Sequence, residues 1–244
     1  MRIPSPSRQI AEPRSTAPRR NSPAGQRQRG QNIVQPTDSA QRSIAPHAHC
    51  VTDCPRSDPP ALDGWTSSLA GLECLTNVET VMFDSYYVRD FTPLSALPKL
   101  QRLYLGLAPD SWSLPPLPQV RDFGVYYTRG SLSGLTSLPN VTSLEMKAAD
   151  LSAADALEPI AKMKNLKPLH LAGSHVRSVS ALAGLTQLVD VDLAVNDIVD
   201  LSPLARTAAL GAGTMIELVS NPIDCDRDAS VHALRARGVV VHCN

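Results

Sequence analysis

The sequence predicts an α/β solenoid of stacked repeats, each with one short strand and an irregular or short helical return, preceded by a disordered tail. Three observations predict it. One pattern of apolar residues recurs along most of the chain. Aromatic residues make up only 4% of the 244 positions, which suits a thin core of Leu, Val and Ala better than a globular one. Charge is also divided unevenly along a chain whose net charge is zero.

Residues 1–48 are the tail. They are rich in Pro, Arg, Ser and Gln, with too little apolar surface to offset the entropy of ordering a backbone. Up to His49, eight arginines stand against only Glu12 and Asp38, and the rest of the chain carries 21 acidic and 15 basic residues. The arginines are dispersed and lack interleaved aromatics, so a solvated linker is expected rather than a nucleic-acid arm. Arg19-Arg20 lacks the apolar run that a twin-arginine export signal requires. Neither a secretory apolar segment nor a membrane span is legible.

The repeats occupy residues 78–218. Val78-Glu-Thr-Val-Met-Phe83 aligns with Leu100-Gln-Arg-Leu-Tyr-Leu105, Val120-Arg-Asp-Phe-Gly-Val125 and Val141-Thr-Ser-Leu-Glu-Met146. Leu166-Lys-Pro-Leu-His-Leu171 and Leu188-Val-Asp-Val-Asp-Leu193 complete the series. The starts are separated by 22, 20, 21, 25 and 22 residues. Alternate side chains of a strand face opposite ways, so Val81, Phe83, Leu103 and Leu105 point inward while Thr80, Met82 and Asp84 point outward. No single unit buries its inner face alone; stacking about 4.8 Å apart makes the core continuous. A second segment recurs as Phe91-Thr-Pro-Leu, Leu132-Ser-Gly-Leu, Val179-Ser-Ala-Leu and Leu201-Ser-Pro-Leu.

From about Leu69 onward the chain resembles bacterial 22-residue leucine-rich repeats of the internalin type, most closely in the units beginning at Leu166 and Leu188. Asn196-Asp-Ile-Val-Asp-Leu-Ser-Pro-Leu204 is similar to that family's N-x-I-x-D-L-x-P-L signature. The resemblance implies a leucine-rich-repeat solenoid with parallel strands on a concave face and short helices on a convex one. The family's turn asparagine remains only at Asn196 and Asn221; Tyr86, Ala108, Thr128, Ala149 and Ser174 replace it elsewhere. Those turns need other partners for their backbone groups, so the middle repeats are expected to be less regular.

Solenoid ends need caps, expected over 49–77 and 219–244. The second resembles a terminal cap of the same family. Asp228 or Ser230 would start a helix with Ala233, Leu234 and Ala236 inward, Gly238 would end it, and Val239 to Val241 would return as a strand. Cys225 and Cys243 bracket this cap. A disulfide is the expectation, with a metal site including His232 or His242 as the alternative. Near the other end, His47-Ala-His-Cys50 and Cys54 suit either a cap disulfide between Cys50 and Cys54 or a zinc site, and Cys74 is expected to be unpaired. Two bridges imply an oxidising compartment, hence a secreted or cell-envelope protein, although no signal peptide is visible.

None of the common catalytic fingerprints is present, so no enzyme activity, cofactor, metal or small-molecule substrate is expected. The expected function is non-catalytic binding of a protein through the concave face. Its side chains would be Arg102, Tyr104, Asp122, Tyr126, Glu145, Lys147, His170, Asp190, Asp192 and Glu217, with Arg102, Tyr104 and Tyr126 as anchors. His170 between Glu145 and Asp192 could form an acid–base cluster, but a charged ladder is the plainer reading. The acidic later half suits a basic partner patch. The alternatives are a targeting part of an effector or enzyme system, for which no room remains beyond the cap, and a structural envelope protein.

Overall fold

The computed structural model of this chain describes residues 67–84, 86–108, 112–129 and 132–243. The expected tail, Cys50 and Cys54 lie outside them. Eight strands, β1 (Thr80–Asp84), β2 (Arg102–Gly106), β3 (Asp122–Tyr126), β4 (Ser143–Lys147), β5 (Pro168–His170), β6 (Asp190–Asp192), β7 (Met215–Glu217) and β8 (Val240–His242), form one unclosed sheet in chain order. Every neighbouring pair is parallel. This is the leucine-rich-repeat solenoid that the resemblance implied.

The core follows from strand alternation. Val81, Leu103, Phe123, Leu144, Leu169, Val191, Ile216 and Val241 are partners in register, and all are buried. The returns are single 3-10 turns at Thr92–Ala96, Leu132–Ser137 and Ser180–Gly184, and one-turn helices α1 (Glu158–Ala161) and α2 (Ser202–Ala205). They push Leu94, Leu132 and Leu135, Ile160, Leu182 and Leu204 into the core. Just before three of these returns, Asp90, Ser178 and Asp200 accept from the backbone N–H groups of Thr92, Ser180 and Ser202, and Asp150 does the same for Ser152 in the longer segment ahead of α1. The proline-rich stretch between β2 and β3 has no helical turn among its described residues. There Trp112 fills the core, 5.9 Å from the Phe123 ring centroid, and Gly134 opposite has no room for a side chain.

The turn after each strand shows how the asparagine ladder works and what replaces it. Asn196 Nδ2 donates to the carbonyls of Leu171 and Leu193, each at 2.9 Å, and of Ala194 at 3.1 Å. Its Oδ1 accepts from the N–H groups of Ser174 and Val176 at 3.1 and 2.9 Å. Asn221 repeats the pattern on Leu193, Leu218 and Ile198. In the turn before Asn196, Ser174 takes over: its Oγ accepts from Ala149 N–H and lies within donating distance of Met146 and Ala172 carbonyls. The strands of the repeats that neither carry a turn asparagine nor adjoin one are the longer ones. β1 to β4 have five residues and β5 to β7 have three. The reason is competition for the ladder. Asn196 takes the Leu171 carbonyl while Ala194 N–H turns to its own neighbour Asp192 Oδ1 at 3.0 Å. Side chains thus replace the last backbone bond where the asparagines stand.

The residue before each of these buried turn positions is left-handed: Leu107, Tyr127, Ala148, Gly173, Val195 and Ser220 have φ between 46° and 65°. Only Gly173 adopts this freely; each of the others costs about 1 kcal/mol.

At the C-terminal end, Asp228 caps α3 (Ala229–Ala236), accepting from Ser230 N–H at 2.8 Å and Val231 N–H at 2.9 Å. Gly238, at φ 86°, turns the chain into β8. The inward side of α3 differs from expectation. Val231 and Leu234 are buried, whereas Ala233 and Ala236 are exposed, because the helix starts at Ala229 and positions three apart share its face. Cys225 and Cys243 are joined, Cα atoms 6.2 Å apart, which removes the metal alternative for this pair. Cys74 is disulfide-bonded rather than free, a correction to the expected pairing; its partner lies outside the described residues.

Candidate functional site

The parallel register builds one straight row across the outward side of the sheet: Met82, Tyr104, Gly124, Glu145, His170, Asp192, Glu217 and His242. A flanking row runs through Thr80, Arg102, Asp122 and Ser143, and through Pro168, Asp190, Met215 and Val240. Tyr126 and Lys147 are partners on the other flank. All ten residues expected on the binding face therefore point outward from this sheet, and nearly all are half-buried there.

They divide into three groups. Around Gly124, Tyr104 donates to Asp122 Oδ2 at 2.8 Å and Tyr126 donates to Glu145 Oε2 at 2.9 Å. Glu145 also pairs with Lys147. Gly124 makes this possible: a side chain there would run into the Tyr104 ring and crowd the Tyr126 hydroxyl. Both phenols thus cover the backbone of β3. Burial pushes the acidity constants of Tyr104 and Tyr126 well above the ordinary value of 10.0, and the carboxylate that each phenol bonds adds to the shift. Burial pushes the Glu145 carboxyl upward, but its bonds from Lys147 and Tyr126 outweigh it, so the group ends below 4.5. The same bond from Glu145 raises the Lys147 ammonium.

Arg102 stands apart from the two tyrosine pairs, its Nε donating to Thr80 Oγ1 at 2.8 Å. In the later strands His170 lies between Glu145 and Asp192 in register, yet its Nε2 is 3.1 Å from Asp190 Oδ2 on the flanking row. Asp192 and Glu217 each accept a backbone N–H two residues on, from Ala194 and Val219. Glu217 Oε2 also lies 3.2 Å from His242 Nδ1. These bonds hold the carboxylates as a ladder. Six carboxylates (Asp84, Asp122, Glu145, Asp190, Asp192, Glu217) face outward from the strands against two permanent cations, Arg102 and Lys147. Among the described residues, no three His, Cys, Asp or Glu side chains are grouped to hold a metal ion. No described helix is long and apolar enough to cross a membrane.

Sequence reasoning missed two apolar features of this surface. Met215 and Val240 are partners in register and well exposed beside Val189. In the turns after the strands, Tyr86, Tyr87, Leu107 and Tyr127 are also exposed, with the Tyr86 and Tyr87 rings edge to face at 5.1 Å. The available signal was a large apolar residue two places after the last inward strand position, as in Leu105-Gly-Leu107 and Val125-Tyr-Tyr127.

The geometry agrees with known bacterial folds. An internalin C2 of Listeria monocytogenes is similar over 75% of this chain and 79% of its own, with TM-score 0.55 and 20% identity. An internalin of the same organism (internalin F) is similar over 73% of this chain and 59% of its own, with TM-score 0.50 and 17% identity. A leucine-rich-repeat protein of Leptospira interrogans is matched at TM-score 0.49 and 17% identity, over 70% of this chain and 44% of its own. This chain thus spans about six-tenths of the second structure and less than half of the third. No protein-family model and no curated protein matches the sequence. The fold is that of internalin-type leucine-rich-repeat proteins.

Proposed function

We propose that this chain is a non-catalytic protein-binding module that receives its partner on the outward, concave side of the sheet, and that the partner surface is basic. The observation that carries this reading is the outward side of the sheet from β1 to β8, where six carboxylates stand against two permanent cations in and beside the straight row from Met82 to His242. A parallel sheet with one residue per strand in each row is a rigid, evenly spaced display, and like charges in a row repel one another unless a complementary surface is present. The bonds to Tyr104, Tyr126, Ala194 and Val219 fix the carboxylates before binding, which lowers the entropy cost of association.

The two disulfides support a secreted or cell-envelope location, where such bonds persist. The test is affinity capture with the full chain, followed by calorimetry on the purified partner. Affinity should fall with rising salt and weaken in Asp192→Asn combined with Glu217→Gln. A partner that binds the neutralised face as tightly, with no salt dependence, would refute the reading.

A further inference from the structure

We infer that the partner is anchored by an aromatic and apolar ridge along the turns that follow β1, β2 and β3, and that the segment docking there pairs an apolar side chain with an adjacent Arg or Lys. The inference rests on the protein-binding reading and moves its anchor from the strand row to the edge of the sheet.

The ridge consists of Tyr86, Leu107 and Tyr127, exposed at 53%, 44% and 64%. Leu107 and Tyr127 each follow the end of a strand by one residue, after Gly106 and Tyr126, so they are neighbours about 4.8 Å apart along the solenoid. Tyr86 lies two residues beyond Asp84, one repeat earlier, with Tyr87 against it. Neither burial nor backbone preference accounts for these residues. Leu107 and Tyr127 occupy left-handed positions, φ 46° and 56°, at which Ala148, Gly173 and Ser220 serve three later repeats and the smaller Val195 a fourth. Large apolar side chains thus stand in solvent at positions where smaller residues suffice.

The ridge also adjoins acid. Gly106 leaves a gap in the outward face that Asp84 fills, its carboxylate lying where a Gly106 side chain would be. Beyond it lie the Tyr104–Asp122 and Tyr126–Glu145 pairs, whose phenols are already committed to carboxylates. Their ring faces and the nearby carboxylates attract a cation, while Leu107 and Tyr127 offer area to an apolar side chain. A basic segment with an apolar residue satisfies both surfaces at once.

The test uses a displayed random-peptide library selected on the full chain. The selected consensus is then synthesised and titrated against variants. Leu107→Asn with Tyr127→Asn removes two of the three ridge side chains while keeping residues that tolerate positive φ, and an unchanged melting temperature verifies folding. Asp192→Asn with Glu217→Gln tests the distant part of the row. The expected result is a consensus with Arg or Lys beside an apolar residue, bound at least tenfold more weakly by the ridge variant and equally well by the row variant, because the short peptide, unlike the whole partner, does not reach Asp192 and Glu217. Loss in the row variant alone would overturn the ridge and leave the protein-binding face standing. An acidic or purely apolar consensus would overturn the proposed partner chemistry. Selection of no consensus, or of one whose binding neither variant alters, would overturn both readings. Self-association of the native chain in sedimentation, abolished in the ridge variant, would assign the ridge to a second copy and overturn the proposed partner.

Discussion

Tyr126 donates its hydroxyl to Glu145 Oε2 at 2.9 Å, from one repeat to the next, while the same carboxylate pairs with Lys147. Glu145 therefore joins a phenol and an ammonium on the outward side of the sheet, next to the only glycine in the central row. The arrangement gives pH signatures of opposite sign at the two ends of the scale.

At the acid end, Glu145 has its folded acidity constant held below 4.5. Its stabilising contribution is present above that ordinary value and is lost as pH falls through the lower, folded one, because the unfolded chain takes up the proton first. Urea titrations at about pH 5 and about pH 3 should show a smaller loss of stability in Glu145→Gln than in the native protein. Asp90, Asp150 and Asp200, each lowered by bonds from the following Thr or Ser, contribute in the same direction. Equal losses in variant and native protein would show that the cluster does not bind Glu145 in its charged form.

At the alkaline end, Tyr104 and Tyr126 are both raised above 10.0 by burial first and carboxylate bonding second. Their contribution is fully present below the unfolded value and is lost as pH rises, because the unfolded chain releases the proton first. Tyrosinate absorbance of the folded protein should contain a delayed phase that Tyr104→Phe with Tyr126→Phe abolishes. A delayed phase that survives in the double variant would rule out these two residues as its source.

Asn196 bonds with five backbone groups in two successive turns. Asn196→Ala leaves several of them buried without partners and should cost about 3 kcal/mol or more in denaturant unfolding. Ser174→Ala, which removes fewer bonds, should cost about 1 kcal/mol. Similar costs for the two would mean that water replaces the asparagine readily.

Val195 is a β-branched residue at φ 56°, 59% exposed, immediately before Asn196. Val195→Asn relieves strain and gives up little burial, so thermal unfolding should report a gain of about 0.5–1 kcal/mol. A loss of stability would mean that the exposed valine makes contacts worth more than the strain.

The Cys225–Cys243 bond closes a separation of 18 residues around α3 and β8. Cys225→Ser with Cys243→Ser should cost about 3 kcal/mol by releasing the unfolded chain. Non-reducing peptide mapping of oxidised protein should recover this bridge and a second one that includes Cys74. Recovery of Cys74 as a free thiol would contradict the second bridge.

The sequence by itself determined the repeat, the strand register and the outward row. All three follow from local periodicity: an inward residue at every second strand position and a unit length near 22 leave one way to stack the units and bury the Leu and Val side chains. The pairing of Cys225 with Cys243 was legible too, because the cap separating them is local. Only the tertiary structure decided what the outward residues do. Gly124 reads in the sequence as a weak strand residue, but in register it is the space over which Tyr104 and Tyr126 lie. His170 has Glu145 and Asp192 as row neighbours yet bonds with Asp190, and Asp192 turns back to its own backbone. The bonded state of Cys74 was also beyond reach. Periodicity specifies which face a side chain takes. Which neighbour it meets there depends on side-chain lengths, turn dihedrals and competition for hydrogen bonds between segments about 22 residues apart, and those are settled only when the repeats are stacked.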